Sequence, residues 1–461
     1  MKPNKLKLHF KKQWLALAAL AASACVASAQ SSDAIIDKLV EKGILTVKEA
    51  NELREEADKG FTSAYSVKSG MPDWVSSLKF NGDIRARYES FFADDSFVSG
   101  GTTNKFLARN RFRYRMRFGA TVSMFDNLEA GLKLTSSDAA SGGANNEGDP
   151  ISGNTTMQNN GSKKLIYIDQ AYGRWYALNG PDWTGVLTVG KMENPLMFDD
   201  MVFDPDYTPE GIGLQLGYTL NDKHTLKFNA GGFILDEAAA SSNDPYLIAA
   251  QARWDAKWNT KWSSALGLAA LSVESPGALA NGSVPNINRG NTRDADGTPT
   301  YAFNPWVVDG SVTYTAESFP LYKGAFPIKL SGEYMNNPGA PSSADNNAWN
   351  IGVMFGKSGK KGTWDFTYTY KWLGANAWYE ELVDSDFGAF YAAANSPANS
   401  GSGIGYASGT NVKGHILRLQ YSPTDSVTLA AKLFMTDLIN AFPANGDSQM
   451  NRLQVDANWK F

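Results

Sequence analysis

The sequence has 461 residues, 43 of them glycine and 12% aromatic, with a formal net charge of −4 at neutral pH and a single cysteine. Such a chain is too long for one ordinary compact core, its acidic balance excludes an electrostatic grip on nucleic acid, and one cysteine excludes a disulfide framework. Beyond the first 30 positions no run of about 18 apolar residues occurs, so no transmembrane helix is expected there.

Residues 1–29 read as a secretory signal. Lys2, Lys5, Lys7, Lys11 and Lys12 form a basic front, "WLALAALAASACVA" is the apolar middle, and Ala27-Ser28-Ala29 is a small-residue cleavage site before Gln30. Cleavage removes five lysines and Cys25, which leaves the remainder more acidic and free of cysteine. Residues 30–77 are expected to form a short periplasmic helical segment and a linker. Ile35, Ile36, Leu39 and Val40 share one helical face, and Gly43 suits its stop. Thr46 and Glu49 fit a capping box ahead of a second face of Val47, Ala50 and Leu53.

From residue 78 to 461 the period becomes two. In "LKFNGDIRARYESFF", Phe80, Ile84, Ala86, Tyr88 and Phe92 fall on one face, and Lys79, Asn81, Asp83, Arg85, Arg87 and Glu89 on the other. "RNRFRYRMRF" repeats this more strongly, with Arg109, Arg111, Arg113, Arg115 and Arg117 alternating with Asn110, Phe112, Tyr114, Met116 and Phe118. "LEAGLKL" and thirteen further runs bring the expected strands to sixteen, the last near 450–461. The connections alternate as well. "FDN", "NGPDW" and "SPTD" are tight, whereas the stretches around 136–164, 191–210, 272–304 and 374–410 are long and rich in Gly, Ser, Asn, Asp and Pro.

A soluble sandwich also alternates. Strands of about 10 residues suit a tilted bilayer span better, and aromatics recur near strand ends, as at Trp254, Trp258, Tyr368 and Trp372. The expected fold is therefore all-β, a 16-stranded antiparallel transmembrane β-barrel with a short N-terminal helical segment. Lipid leaves no backbone group unpaired, so the sheet has to close, and closure at this size leaves a lumen. Arginine at the lipid midplane costs roughly 2–4 kcal/mol, so five of them must face that lumen. Arg85, Arg87 and the row Arg109 to Arg117 are accordingly the candidate pore-lining residues. Their expected partners are Asp83, Glu89 and Glu129 on neighbouring strands.

The signal with "KLVEKGILTVKEANEL", the strand pair "GDIRARYE…RNRFRYRMRFG", "DQAYGRWY", "VGKMENPLMFDD", "SGEYMNN", "DSDFGAF" and the terminal Phe461 together resemble the putative porins of Gram-negative outer membranes, relatives of general and phosphate-selective porins. The resemblance implies diffusion of ions and small hydrophilic solutes, usually through homotrimers set in outer-membrane lipid. It also implies that the loop after the fifth strand bends into the channel. That loop carries Glu193, Asp199, Asp200, Asp204, Asp206 and Glu210, the candidate constriction carboxylates. Opposed rows of acid and base set a transverse field that sorts ions. An anion- or phosphate-selective channel and a structural or adhesive barrel are the alternatives, and the acidic loop weighs against the phosphate track.

Catalytic chemistry is not expected. His9 lies in the signal, and His224 and His415 sit in no serine–histidine–acid spacing. No phosphate-cradling glycine motif, cofactor site or cysteine-based metal cluster is present, and "DPDYTPEG" lacks the spacing of a calcium loop.

Overall fold

The computed structural model describes residues 72–92, 96–99, 102–105, 108–139, 147–237, 242–279, 290–388, 409–440 and 449–461. The predicted signal and helical pair lie outside these residues. The chain divides into two compact units, Met1–Leu78 and Lys79–Phe461, and the second holds the sheet from Lys79 onward.

Sixteen long strands follow one another. They are β1 Val75–Phe92, β2 Arg109–Met124, β3 Leu128–Ser136, β4 Ile166–Asn179, β5 Trp183–Lys191, β6 Glu210–Asn221, β7 His224–Ile234 and β8 Tyr246–Lys257. Then come β9 Trp262–Glu274, β10 Trp306–Ala316, β11 Phe326–Asn336, β12 Asn347–Gly356, β13 Thr363–Leu373, β14 Val412–Ser422, β15 Val427–Leu438 and β16 Met450–Lys460. Each strand pairs with the next in the chain, and β1 closes the ring antiparallel to β16, from Asp83 opposite Lys460 to Phe92 opposite Asn451. Closure leaves no edge in lipid. Tight turns occupy one rim. At the β2–β3 turn Asp126 and Asn127 both have φ of 60°, the left-handed pair that a two-residue hairpin turn needs.

The alternation sorts side chains as expected. Phe112 and Phe118 are 58% and 41% exposed on the outer wall, whereas Arg113 and Arg115, on the same strand, are each 7% exposed inside. Aromatic pairs ring the outside near both rims. Trp183–Tyr218, Trp262–Tyr314 and Trp254–Trp258 lie toward the tight turns, and Trp306–Tyr334 and Trp349–Tyr370 toward the long loops. Such belts sit at the two membrane interfaces. Both described histidines belong to them: His224 Nδ1 accepts from Trp254 Nε1 at 3.2 Å, and His415 Nδ1 lies 2.9 Å from the Tyr368 hydroxyl.

β3 is short, so it covers only Arg117–Ser123 of β2. Above it Thr155–Thr156 of the following loop pairs with Arg113 and Tyr114 and fills the wall. The hollow departs from a simple water-filled lumen. Its long-loop half holds an apolar core in which Phe91, Phe233, Leu247, Leu271, Val307, Met335, Leu373 and Phe434 point inward from the strand ends. Two loops, 192–209 and 374–388, supply the rest through Met192, Met201, Val202, Phe203, Trp378, Leu382 and Phe387. Burying one such side chain is worth about 1.5–3 kcal/mol, so these loops are held inside rather than solvated above the rim.

Candidate functional site: a charged wall facing two infolded loops

The wall is built by β1, β2 and β16. Register places Arg87 opposite Asp456 across the closing seam, and the two bond at 2.7 Å. Glu89, fully buried, accepts from Arg111, from Arg452 Nε at 2.8 Å and from Gln454 Nε2 at 2.9 Å. Asp83 takes Arg115 and Arg117, each at 2.8 Å. Arg113 reaches the Asn154 carbonyl at 3.0 Å and Asp138 at 3.4 Å, and Arg85 donates to Asn154 Oδ1 at 2.6 Å. Arg109 stands half-buried at the long-loop end of β2. Two of the three expected strand partners therefore hold the ladder. Glu129 does not: it lies near the tight-turn rim, where it binds Arg174 at 3.1 Å and the hydroxyls of Tyr172 and Tyr176.

The loop after β5 enters the hollow for local reasons. Pro195, Pro205 and Pro209 cannot continue a strand ladder. Asn194 Oδ1 accepts Leu196 N–H at 3.0 Å, and Asp204 Oδ1 accepts Asp206 N–H at 2.8 Å, two side-chain turns that reverse the chain. A Cβ on Gly213 of β6 would meet Pro195 Cγ at 2.9 Å, so that glycine lets the loop lie against the wall. Gln251 on β8 then clamps Met197 through both of its backbone groups, at 2.9 and 2.6 Å.

The six loop carboxylates separate into different settings. Asp206 spans the gap to Arg115 at 2.9 Å and Arg117 at 3.3 Å. Asp200 binds Lys371 of β13 on the opposite side. Asp204 is buried and accepts Ser385 N–H at 2.7 Å. Glu193, Asp199 and Glu210 are exposed, with Glu210 bonded to Lys191 at 3.0 Å. Burial pulls the Asp206 carboxyl upward, but the guanidiniums of Arg115, Arg117 and Arg85 outweigh it and hold it below the usual range. For Asp204 burial dominates, Asp384 and Asp206 add to it, and the carboxyl is raised well above the usual range.

The loop after β13 was not singled out as a lumen element by sequence reasoning. Its Asp386 binds Arg87 at 3.1 Å and Arg452 at 2.7 Å, and its Leu382 carbonyl accepts Asp204 N–H at 2.7 Å. The two loops are thus one packed unit facing the ladder. The available signal was "AWYEELV" at 377–383, too apolar for a solvated loop. Below the unit, toward the tight turns, lies a cavity of about 790 Å³ lined by Asp83, Arg115, Arg117, Lys133, Asp199, Asp206 and Lys460 among others. Acid and base therefore line the same space, with Asp206 bonded directly to Arg115 and Arg117 at its edge.

A closed barrel with a greasy exterior, a charged inner wall and loops folded into its hollow defines the architecture of Gram-negative outer-membrane channels. Residues 95–298 match the profile of a family described as "Putative porin", in keeping with the resemblance carried by the motifs. No curated protein matches the chain. Among solved structures, the chain is similar to OprB of Pseudomonas putida at high pH, with 10% identity over 83% of this chain and 94% of that one, at a TM-score of 0.49. It is also similar to the channel DcaP of Acinetobacter baumannii, with 11% identity over 84% and 97% and a TM-score of 0.39. For a triple mutant of the Rhodopseudomonas blastica porin the values are 10%, 83%, 100% and 0.39. The family match, over less than half of the chain, and the closed sixteen-stranded barrel are in keeping with a porin-like barrel of the Gram-negative outer membrane.

Proposed function

We propose that the protein is a passive diffusion channel for ions and small hydrophilic solutes, exported by its leader and working as a homotrimer. The observation that carries this reading is Asp206 of the infolded loop facing Arg115 and Arg117 at the edge of the 790 Å³ cavity. In this reading Arg85, Arg87 and Arg109 to Arg117 form the wall of the conducting path. Glu193, Asp199, Asp200, Asp204, Asp206 and Glu210 narrow it. Dipolar solutes are oriented by the field between the two rows.

Ion preference follows from the balance. Around the cavity five carboxylates, Asp83, Glu193, Asp199, Asp200 and Asp206, face four cations, Arg115, Arg117, Lys133 and Lys460, and Asp204, whose carboxyl burial raises, adds little charge. Saturated arginines make a poor phosphate track, and the surplus acid favours cations. The test is the purified protein in a planar bilayer under a KCl gradient. Discrete conductance steps with a cation-signed reversal potential are expected, and an anion-signed potential overturns the assigned preference. The apolar packing between loops 192–209 and 374–388 favours a second reading, a structural or adhesive barrel with a plugged lumen. A membrane that stays electrically silent selects it.

A further inference from the structure

A second cavity, of about 380 Å³, lies between the segment 147–153 and the end of the loop at 206–210, against the long-loop ends of β3 to β5. Its charged lining is one-sided: Glu147, Asp149, Asp169, Asp206 and Glu210 against Lys191. Asp206 is engaged by Arg115 and Arg117, and Glu210 by Lys191. That leaves Glu147, Asp149 and Asp169 as the carboxylates not committed to a cation.

Asp169 is placed by a deliberate irregularity. Lys133 stands opposite Gln170 and Leu134 opposite Ile168, so Asp169 is the extra residue of a β-bulge. Bulges of this kind re-aim a side chain, and Asp169 and Gln170 are consequently both buried, at 9% and 7% exposure. Asp169 Oδ2 has no hydrogen-bond partner, and the hydroxyl of Tyr167, another lining residue, has none either. The cations that influence Asp169 at longer range are Arg117, Lys133 and Lys191. Arg117 is held by Asp83 and Asp206, Lys191 by Glu210, and Lys133 lines the larger cavity instead. A buried carboxylate left without a donor is costly, and the open side from which a donor can come is the cavity.

We propose that this cavity is a binding subsite for the ammonium or guanidinium head of a small organic cation, anchored by Asp169 and flanked by Asp149 and Glu147. The proposal rests on the channel reading for the route by which the cation arrives, and it names the solute class that the path favours. An organic head with several N–H donors suits the site better than a metal ion. No group of three or more metal-ligating side chains is poised to hold one among the described residues, whereas charge-assisted N–H bonds to a desolvated carboxylate are strong and directional. Ser137, which holds the Asp149 N–H at 3.0 Å, and Thr208 complete the polar lining.

The test is calorimetric titration of the detergent-purified full-length protein with agmatine, alongside agmatine-induced interruption of KCl current in a planar bilayer. Wild type is expected to bind, Asp169→Asn to bind at least about tenfold more weakly, and Asp149→Asn to weaken by a smaller factor. Asp296→Asn, an exposed carboxylate in another loop, is expected to bind as wild type, and glutarate is expected not to bind. Far-UV circular dichroism checks that each variant keeps its β-sheet; Asp169→Asn removes a buried charge and should fold. Equal agmatine affinity in wild type and Asp169→Asn overturns the proposal, as does tighter binding of MgCl2 than of agmatine. Binding without conductance leaves the subsite standing and removes the channel reading; conductance without binding does the reverse.

Discussion

Glu89 is the fully buried carboxylate of the wall, shared by two arginines. It takes hydrogen bonds from Arg111, Arg452 and Gln454. Glu89→Gln leaves two largely buried guanidiniums short of their counter-charge, and breaking one side of a buried pair costs about 3–5 kcal/mol. A lower urea midpoint for unfolding in detergent is the expected result. Arg115 and Arg113 look equivalent in the sequence, yet they differ in consequence. Arg115→Gln removes one of the two arginines that neutralise Asp83 and Asp206 beside the large cavity, so the reversal potential in a salt gradient should move toward cations. Arg113→Gln should move it much less, because Asp138 and Asn154 lie outside that lining. Equal shifts would place the conducting path elsewhere.

At the scale of the element, the infolded loops carry a built-in response to pH. Burial raises the Asp384 carboxyl, Lys432 and Lys371 oppose it, Asp200 adds to it, and the result is pushed up to about 6. Burial likewise raises Asp204. Asp200, Asp206 and Asp386 move downward, because Lys371, the arginine wall and Arg87 respectively outweigh burial, so they stay ionised in both docked and released loops above pH about 4. A group with a raised value takes up its proton more readily when docked. Docking is therefore favoured as pH falls from about 6 toward 4, and this advantage is lost as pH rises through about 6. Single-channel conductance should decrease between pH 7 and 5, and Asp384→Asn should flatten that dependence. Excising 376–387 should raise conductance at either pH, since the segment fills the hollow with Trp378, Leu382 and Phe387; an unchanged conductance would put the path away from the loop.

The strands were legible because lipid on one side and charge on the other impose a period of two on every residue, and the ladder at 109–117 states it without ambiguity. The carboxylates of the loop after β5 were legible in its composition, whereas its inward bend toward the arginine row was expected from the family resemblance alone. Which carboxylate meets which arginine was not legible, since the pairing of Asp206 with Arg115 joins positions far apart in the chain. The second loop escaped because Trp378 and Phe387 carry no period inside a connection. The bulge at Asp169 escaped because a single extra residue leaves the local composition of the strand unchanged.

For the whole molecule, the wall proposed to sort ions also holds the barrel together. Ion pairs that would contribute little on a surface are enclosed here by β1, β2, β16 and both loops. The closing seam joins strands separated by nearly the full sheet, with Arg87 bonded to Asp456 and Glu89 to Arg452. Until β16 docks, Arg87 lacks Asp456, Glu89 lacks Arg452, and β1 leaves an open row of backbone groups at the edge of the sheet. Insertion should behave as a single commitment rather than a gradual threading. A chain cut before Met450 ought to be cleared by envelope proteases instead of accumulating as a smaller ring.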